Sequence, residues 1–249
     1  MGETYGRIAR AQSWERAGVG LAVWVALLLC ALVLGGCLQP FDPTAKADID
    51  GRLAALQEAG KTVPAPPGFD PMPLATGQWV QYKMIDDKGR PSFLTYKVLG
   101  EQAGAYWIET LHETYFGRTA QKMLIAFGSR TDPNRIEVRA LVLLDRRGNV
   151  TPVPPGKIPV MQVTFRSLAA ALAITWQGMP QEAETVPAGR FEGCYRTRAD
   201  AQWGPWRSIA DSWRHPAVPL SGLVRSQGVD RPFTMDLVAF GTTGATSDF

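Results

Sequence analysis

The sequence has 249 residues, a formal net charge of +3, and similar numbers of basic and acidic residues, 26 and 23. This length allows one or two domains, and a hydrophobic content of 45% is enough for a packed core. The basic residues form no block longer than pairs such as Arg146-Arg147, which argues against nucleic-acid binding, since that needs a concentrated basic stripe. With 25 glycines and 19 prolines, the composition favours a turn-rich β protein over a helical bundle.

Residues 1–36 have the layout of a secretory signal peptide, with arginines followed by an uncharged apolar run from Val19 to Leu34. The run ends in Leu34-Gly35-Gly36-Cys37. This motif resembles the lipobox of bacterial lipoproteins, in which an aliphatic residue and two small residues precede a cysteine. The resemblance implies cleavage between Gly36 and Cys37 and attachment of lipid to the Cys37 thiol.

An uncleaved transmembrane helix is the alternative for this segment. The run from Ala17 to Gly36 has about the ~20 residues that span a bilayer, and the preceding arginines would then stay in the cytoplasm. Both interpretations place the remaining chain outside the cytoplasm. In the lipoprotein family, an aspartate after the cysteine favours the inner membrane. Leu38 stands there instead, so the resemblance implies an outer-membrane anchor facing the periplasm.

The three cysteines have different predicted fates. Cys30 would leave with the signal peptide, and Cys37 would carry the lipid. Cys194 alone would remain, so the mature domain is predicted to form no internal disulfide, although an exported protein could form one.

Residues 37–73 are predicted to form a lipidated tether. Apolar residues three or four positions apart predict a short helix from Asp48 to Ala59, capped by Thr44 or Asp48 and packed on the following domain. Residues 63–73 are proline-rich and are predicted to form an extended linker. The main domain then covers residues 74–249.

This main domain is predicted to be mainly β, a curved antiparallel meander that forms a half-barrel or barrel. Short segments alternate apolar and polar residues and are separated by turn signals such as Asp87-Lys88-Gly89. Arg135–Leu144 is predicted as a long strand with Ile136, Val138, Ala140, Val142 and Leu144 on one face. One helix is predicted at Ser167–Trp176. Other strands are predicted near 80–84, 94–98, 106–110, 123–127, 160–165, 190–198, 205–213, 221–227 and 233–240.

Two stretches of the domain carry a family resemblance. Val186–Tyr195 and Trp213–Val224 suggest strands joined through Val-Pro turns and glycine. They resemble the half-barrel sheets of lipoprotein carriers of the Lol type and related periplasmic domains of unknown function, over roughly residues 75–240. The resemblance implies a curved sheet, and no functional residue carries over from it.

Residues with catalytic or metal-binding chemistry are few. A zinc site needs about four ligands, whereas the chain has only His112 and His215 and one remaining cysteine. Cys194 with His215 as base could form a nucleophilic pair, but its position between Phe191 and Tyr195 favours burial in a strand. No phosphate-binding loop, dinucleotide fingerprint or nucleophile elbow is present. No cofactor is predicted, and the domain is predicted to be non-enzymatic.

Aromatic residues are the more informative set, since seven lie on predicted strands or at strand ends. They could simply form the sheet core. Alternatively, a concave apolar face could hold a lipid or acyl chain, because an open curved sheet needs a cover for one face. The candidate ligand-facing residues are Trp79, Tyr82, Trp107, Trp206 and Trp213.

The leading functional hypothesis is a membrane-anchored envelope lipoprotein that binds an apolar ligand or a partner protein. A structural lipoprotein with a filled core and no ligand is the second hypothesis, and an enzyme is the third. An apolar cavity favours a ligand, whereas a filled core with an exposed apolar patch favours a protein partner.

Overall fold

The computed structural model describes residues 40–56, 60–158, 172–203 and 206–249. The predicted signal peptide, Gly36 and Cys37 lie outside this range, as do the predicted strand at 160–165 and the first half of the predicted helix at 167–176. In the second half of that helix, Leu172 is helical and residues 173–176 are not. Within the described ranges, no helix is long and apolar enough to cross a membrane.

The domain is mainly β, as predicted, and twelve strands of the described chain form one open, curved sheet. Its order is β1-β9-β10-β11-β12-β2-β3-β4-β5-β6-β7, with β8 also paired to β9. The pairs are antiparallel except β1–β9. The strand bounds are β1 Thr62–Val63, β2 Trp79–Ile85, β3 Pro91–Gln102, β4 Ala105–Thr114, β5 Gly117–Phe127, β6 Ile136–Leu144, β7 Val150–Pro152, β8 Gln181–Val186, β9 Gly189–Trp203, β10 Trp206–Arg214, β11 Leu223–Gly228 and β12 Thr234–Gly241.

The main core lies on the sheet face that the alternating pattern predicted. Successive side chains of a strand point to opposite faces, and Val80, Tyr82, Val98 and Ile108 are all 0% exposed on this face. Leu237 of β12 joins them. Burying one such apolar side chain contributes about 1.5–3 kcal/mol to folding. The period-two alternation in β2, β3 and β4 is therefore the main reason that these segments form the centre of the sheet.

The prediction that β6 keeps one apolar face is wrong. Ile125 pairs with Val138 and Leu124 pairs with Ala140, so Arg139 is the extra residue of a β-bulge. A one-residue shift moves the following side chains to the other face. Val138 therefore packs in the main core, whereas Ala140 packs against Leu124 in a separate cluster.

The helix α1 covers Pro43–Ala55 and begins five residues before the predicted start. Asp42, rather than Thr44 or Asp48, is its N-cap, and its Oδ1 accepts hydrogen bonds from the backbone N–H groups of Thr44 and Ala45, at 2.9 and 3.2 Å. Pro43 fits the first helical position because its missing N–H has no helical partner there. The helix packs on the sheet, as predicted, with Ile49 1% exposed.

Arg130 forms hydrogen bonds with several loops near the sheet. Its guanidinium donates to the carbonyl oxygens of Met72, Leu172 and Leu220, and its own carbonyl oxygen accepts from Ile174 N at 2.6 Å. Burial lowers the pKa of Arg130 to about 10, so the group stays protonated at neutral pH. Through its side chain and its backbone, Arg130 thus connects the proline-rich segment with residues 172–174 and the β10–β11 loop.

The last residues of the chain cross the sheet face opposite the main core. Glu109 of β4 is 0% exposed and accepts hydrogen bonds from Ser247 Oγ at 2.7 Å and Asp248 N at 2.9 Å. Lys97 forms ion pairs with Glu109 and Asp248. Phe249 packs against Leu111 and two further apolar residues. A buried carboxylate needs such partners, because an unpaired one would be costly.

Candidate functional site

The proposed ligand-facing aromatics of β2 lie on opposite faces of the sheet. Tyr82 is 0% exposed in the main core, and its hydroxyl donates to the Leu223 carbonyl oxygen at 3.1 Å. Burial raises the pKa of Tyr82 well above its usual value. Trp79 is half-buried on the other face, where its indole N–H donates to the Thr243 carbonyl oxygen at 3.2 Å. Their spacing of three residues along one strand explains this separation.

The other tryptophans are also distributed over the sheet. Trp107 belongs to the cluster with Leu124 rather than to the main core, and its indole N–H donates to Gln102 Oε1 at 3.0 Å. Trp213 is 7% exposed, donates to Glu182 and lies under the Arg196 guanidinium. Trp206 begins β10, but its side chain is outside the described part of the chain. Trp79, Tyr82, Trp107 and Trp213 therefore do not line a common cavity, and a role in ligand contact stays a prediction.

A groove of about 430 Å³ lies instead along the proline-rich segment. Residues 63–68, Asp70 and Met72 form one wall, and residues 215–217 form the other. We call this feature the proline groove. Its lining is mainly apolar, and its volume lies within the ~300–1,000 Å³ range of small-molecule sites. The sequence predicted residues 63–73 as a linker. The groove forms only because this segment contacts the β10–β11 loop.

Two hydrogen bonds join the walls of the proline groove, and a third, from Ala217, orients the His215 ring within its own wall. His215 Nε2 lies 3.2 Å from the Pro64 carbonyl oxygen, and Nδ1 lies 3.1 Å from the Ala217 backbone nitrogen. Met72 N donates to the Pro216 carbonyl oxygen at 3.3 Å. The Pro64 carbonyl can only accept and the Ala217 N–H can only donate, so neutral His215 protonated on Nε2 satisfies both contacts. Burial agrees with this state, since it lowers the pKa of His215 below its ordinary value.

Cys194 is buried, as the strand pattern predicted. It is 0% exposed, and its thiol lies 3.7 Å from the Phe191 carbonyl oxygen as a weak donor. Burial, reinforced by the nearby Glu184 carboxylate, raises the pKa of the Cys194 thiol to about 12. A reactive cysteine needs the opposite, a lowered pKa. Both ring nitrogens of His215 have backbone partners, so the described hydrogen bonds give this histidine no role as a base for Cys194.

A second, polar cleft of about 360 Å³ lies between α1 and the C-terminal segment. Its charged lining consists of Arg52, Lys97, Glu113 and Asp248. Arg52 pairs with Glu113 at 3.0 Å and Lys97 pairs with Asp248. These charges are therefore neutralised within the cleft, which makes it a packing interface of helix, sheet and C-terminal segment.

The described residues contain no group of three or more His, Cys, Asp or Glu side chains that could hold a metal ion. His112 is partly buried beside Ser92, with Nε2 and Oγ 3.3 Å apart. Burial, together with the positive charge of Arg146, lowers the pKa of His112.

Comparison with known proteins adds little to this description. No family model matches the chain, and no curated protein matches it. Among solved structures, it is similar to a candidate exported protein with a YmcC-like fold from Bacteroides fragilis. The similarity covers 70% of this chain and 99% of that chain, with 12% sequence identity and a TM-score of 0.33. A similarity of this degree carries no functional argument, so function must be argued from the residues of this chain.

Proposed function

We propose that this protein is a non-enzymatic envelope lipoprotein. Cys37 carries the lipid that attaches it to the outer membrane, and the β domain binds an acyl chain in the proline groove. The proline groove is the observation that supports ligand binding, because it combines a mainly apolar lining with the volume of a small-molecule site.

The lipid anchor rests on the Leu34-Gly35-Gly36-Cys37 motif at the end of the apolar run. Two or more acyl chains on one residue hold a protein on a membrane far more firmly than a single myristoyl chain does. We expect Cys37→Ser to abolish incorporation of labelled palmitate and to leave the precursor uncleaved. Unchanged membrane attachment of a cleaved protein would contradict this assignment.

An acyl chain suits the proline groove because the groove walls offer few polar groups that need a partner. The backbone oxygen of Pro64 and the imidazole of His215 already bond to each other. Asp70 is the charged residue of the lining and is exposed. An apolar occupant would thus cover prolines, Val63 and Met72 without burying an unpaired charge.

The test is photo-crosslinking of a diazirine-bearing palmitate that is fed to the expressing cells and activated in intact membranes. Noncovalently bound palmitate should label peptides that contain residues 63–72 or 215–217. Label on the Cys37 peptide reports the anchor and is resolved separately by mass spectrometry.

A pair of tryptophan substitutions makes this test specific. Ala217→Trp should fill the proline groove and reduce its labelling about tenfold, equivalent to ~1.4 kcal/mol of lost binding. Ala54→Trp on exposed helix surface is the matched control and should leave the labelling unchanged. Labelling confined to the Cys37 peptide, or unaffected by Ala217→Trp, would contradict an acyl-chain ligand.

The filled core favours a second candidate, a structural lipoprotein without a ligand. Tyr82, Phe191 and Trp176 are among the largest fully buried side chains, so the protein itself fills the interior that a lipid carrier would leave open. A chain that shows anchor labelling and no groove labelling would support this second function.

A further inference from the structure

The turns between paired strands place one set of charged and aromatic residues at a single end of the sheet. Residues 86–90 join β2 to β3, residues 115–116 join β4 to β5, and residues 145–149 join β6 to β7. Residues 229–233 join β11 to β12 at the same end, because Thr234 pairs with Ile85. We call these four turns the anchor rim.

Three of the four turns of the anchor rim contact one another through side chains. The guanidinium groups of Arg90 and Arg146 lie 5.8 Å and 5.5 Å from the ring centroid of Phe116. These three residues come from three different turns, so side-chain contacts join the β2–β3, β4–β5 and β6–β7 turns.

The chain enters the domain at this same rim. Asp42 N donates to the Tyr115 carbonyl oxygen at 2.8 Å, and the Tyr115 hydroxyl donates to Asp50 at 2.6 Å. Asp42 follows Cys37 by only five positions. Five extended residues span at most ~18 Å, so lipid on Cys37 would hold Tyr115 and the anchor rim close to the bilayer surface.

The anchor rim carries both basic and acidic residues, with a small excess of basic ones. Its exposed cations include Lys88, Arg146, Arg147 and Arg231, with Arg118 beside them at the start of β5. Its acids are Asp86, Asp87, Asp145 and Asp230. Asp86 pairs with Arg90, Asp145 accepts hydrogen bonds within its own turn, and Asp230 accepts from Ile209 N. With Arg90, the four turns carry five cations against these four acids, a net charge of +1, and Arg118 lies opposite Glu113 across β4 and β5.

Two of the large exposed hydrophobic side chains of the described residues also lie at this end, Val150 at 54% and Val229 at 51% exposed. Val150 follows the β6–β7 turn, and Val229 lies in the β11–β12 turn. Apolar and basic residues together bind the headgroup region of a membrane, which attracts cations through its anionic lipids.

We infer that the anchor rim lies against the membrane and binds anionic phospholipid headgroups, which fixes the orientation of the domain on its anchor. This inference rests on the proposed lipidation of Cys37. The proline groove includes the β10–β11 loop, at the end of β11 opposite the rim. The groove wall formed by residues 215–217 then lies on the side away from the membrane that holds the protein.

The test uses the full acylated protein in vesicles of phosphatidylcholine alone or with 30 mol% phosphatidylglycerol, containing a nitroxide-headgroup lipid as quencher. A fluorophore is attached at Val150→Cys, the first residue of β7 beside the rim, or at Gln102→Cys, the exposed last residue of β3 at the opposite end. Cys37 is blocked by lipid, and buried Cys194 has a raised pKa of about 12, so neither competes for the label.

We expect strong quenching at position 150 and little at position 102, with the difference largest in the anionic vesicles. Each cation removed from the rim should weaken contact with the anionic surface about fivefold. Lys88→Gln/Arg118→Gln/Arg147→Gln should therefore abolish the dependence on phosphatidylglycerol, as should 1 M NaCl, in which charges are screened beyond ~3 Å. The matched control, Arg135→Gln/Arg139→Gln/Arg190→Gln, removes three exposed cations that lie outside the anchor rim. This control should retain the dependence of quenching on phosphatidylglycerol.

Equal quenching at the two positions would overturn the inference, because the domain would then lack a fixed orientation. Quenching at position 150 that survives both the charge variant and 1 M NaCl would overturn headgroup binding. The intact mass of the protein separates these results from failure of the anchor. Unacylated Cys37 contradicts the proposed function, whereas acylated protein with equal quenching contradicts this inference alone.

Discussion

Asp211 lies between two arginines of the neighbouring strand β9. It accepts from Arg198 Nε at 2.7 Å and from Arg196 Nη2 at 2.8 Å, and its side chain is only 10% exposed. Hydrogen bonds from Arg198 and then Arg196 hold the pKa of Asp211 well below its usual range. Antiparallel pairing puts Arg198 directly opposite Asp211, so the ion pair helps to fix the register of β9 against β10.

Asp211→Asn should lower the free energy of unfolding by about 2 kcal/mol at pH 7, since hydrogen bonds to charged groups contribute ~1.5–3 kcal/mol. The stabilisation is complete above the ordinary carboxyl pKa of 3.8 and is lost as the pH falls through the lowered pKa of the folded state. The difference in stability between the native protein and the variant should therefore become smaller below pH 4. Urea unfolding at several pH values measures both effects. Glu137→Gln, in a largely exposed pair with Arg139, is the control and should change little.

Cys194 gives a second prediction at this scale, through its buried neutral thiol. A thiol reagent at pH 8 should modify the native mature protein very slowly and the unfolded protein rapidly, because the thiol pKa is raised to about 12 by burial. The unfolded protein should show one reactive thiol if the signal peptide is removed and Cys37 is acylated. Rapid native modification would contradict the burial of Cys194, and three reactive thiols would contradict processing.

At the scale of elements, Gly189 joins the strand β9 to the segment before β1. Its φ is +134°, and an added Cβ would lie 2.5 Å from the Lys61 carbonyl oxygen. That oxygen accepts a hydrogen bond from Arg190 N at 2.9 Å. Both the backbone conformation and the close approach require glycine here.

Gly189→Ala should therefore destabilise the protein by about 2–3 kcal/mol, since it combines backbone strain with a backbone clash. Gly51→Ala is the opposite control. Gly51 lies within α1 with nothing near an added Cβ, and alanine there should stabilise by about 0.5–1 kcal/mol. Thermal unfolding of both variants measures the difference, and equal midpoints would contradict the role of Gly189.

Predictability from sequence differed between elements for physical reasons. Strands β2 to β6 and β9 to β12 were recognisable because apolar residues alternate along them or lie between turn signals. Strand β8 was missed, since Gln181–Val186 is mostly polar and exposed and forms through pairing with β9. The bulge at Arg139 was missed because it depends on the register against β5. The helix start was missed because Asp42 precedes the apolar pattern that marked the helix.

For the whole molecule, buried histidines couple stability to pH. Burial lowers the pKa of both His112 and His215 below 6.5. The unfolded chain therefore binds protons that the folded chain does not, and stability must fall as the pH decreases below 6.5. Each histidine contributes a slope of up to about 1.4 kcal/mol per pH unit.

We expect the free energy of unfolding to decrease from pH 7 to pH 5 and His112→Gln to remove about half of the slope. The slope, rather than the absolute stability, is the readout, because the substitution also loses the contact with Ser92. Urea unfolding at intervals of half a pH unit measures it. An unchanged slope in the variant would show that His112 titrates normally in the folded protein.

The sequence alone determined the mainly β class, the alternating core of the central strands and the burial of Cys194. These features depend on local periodicity and composition, which can be read directly from the sequence. It also predicts the lipid anchor, because a processing motif is contiguous. Tertiary structure decided the rest. The proline groove, the pairing of Glu109 with the C-terminal segment, and the anchor rim each join residues far apart in the chain. The pairing and register of the strands determine those contacts, and no local sequence pattern encodes the pairing or the register.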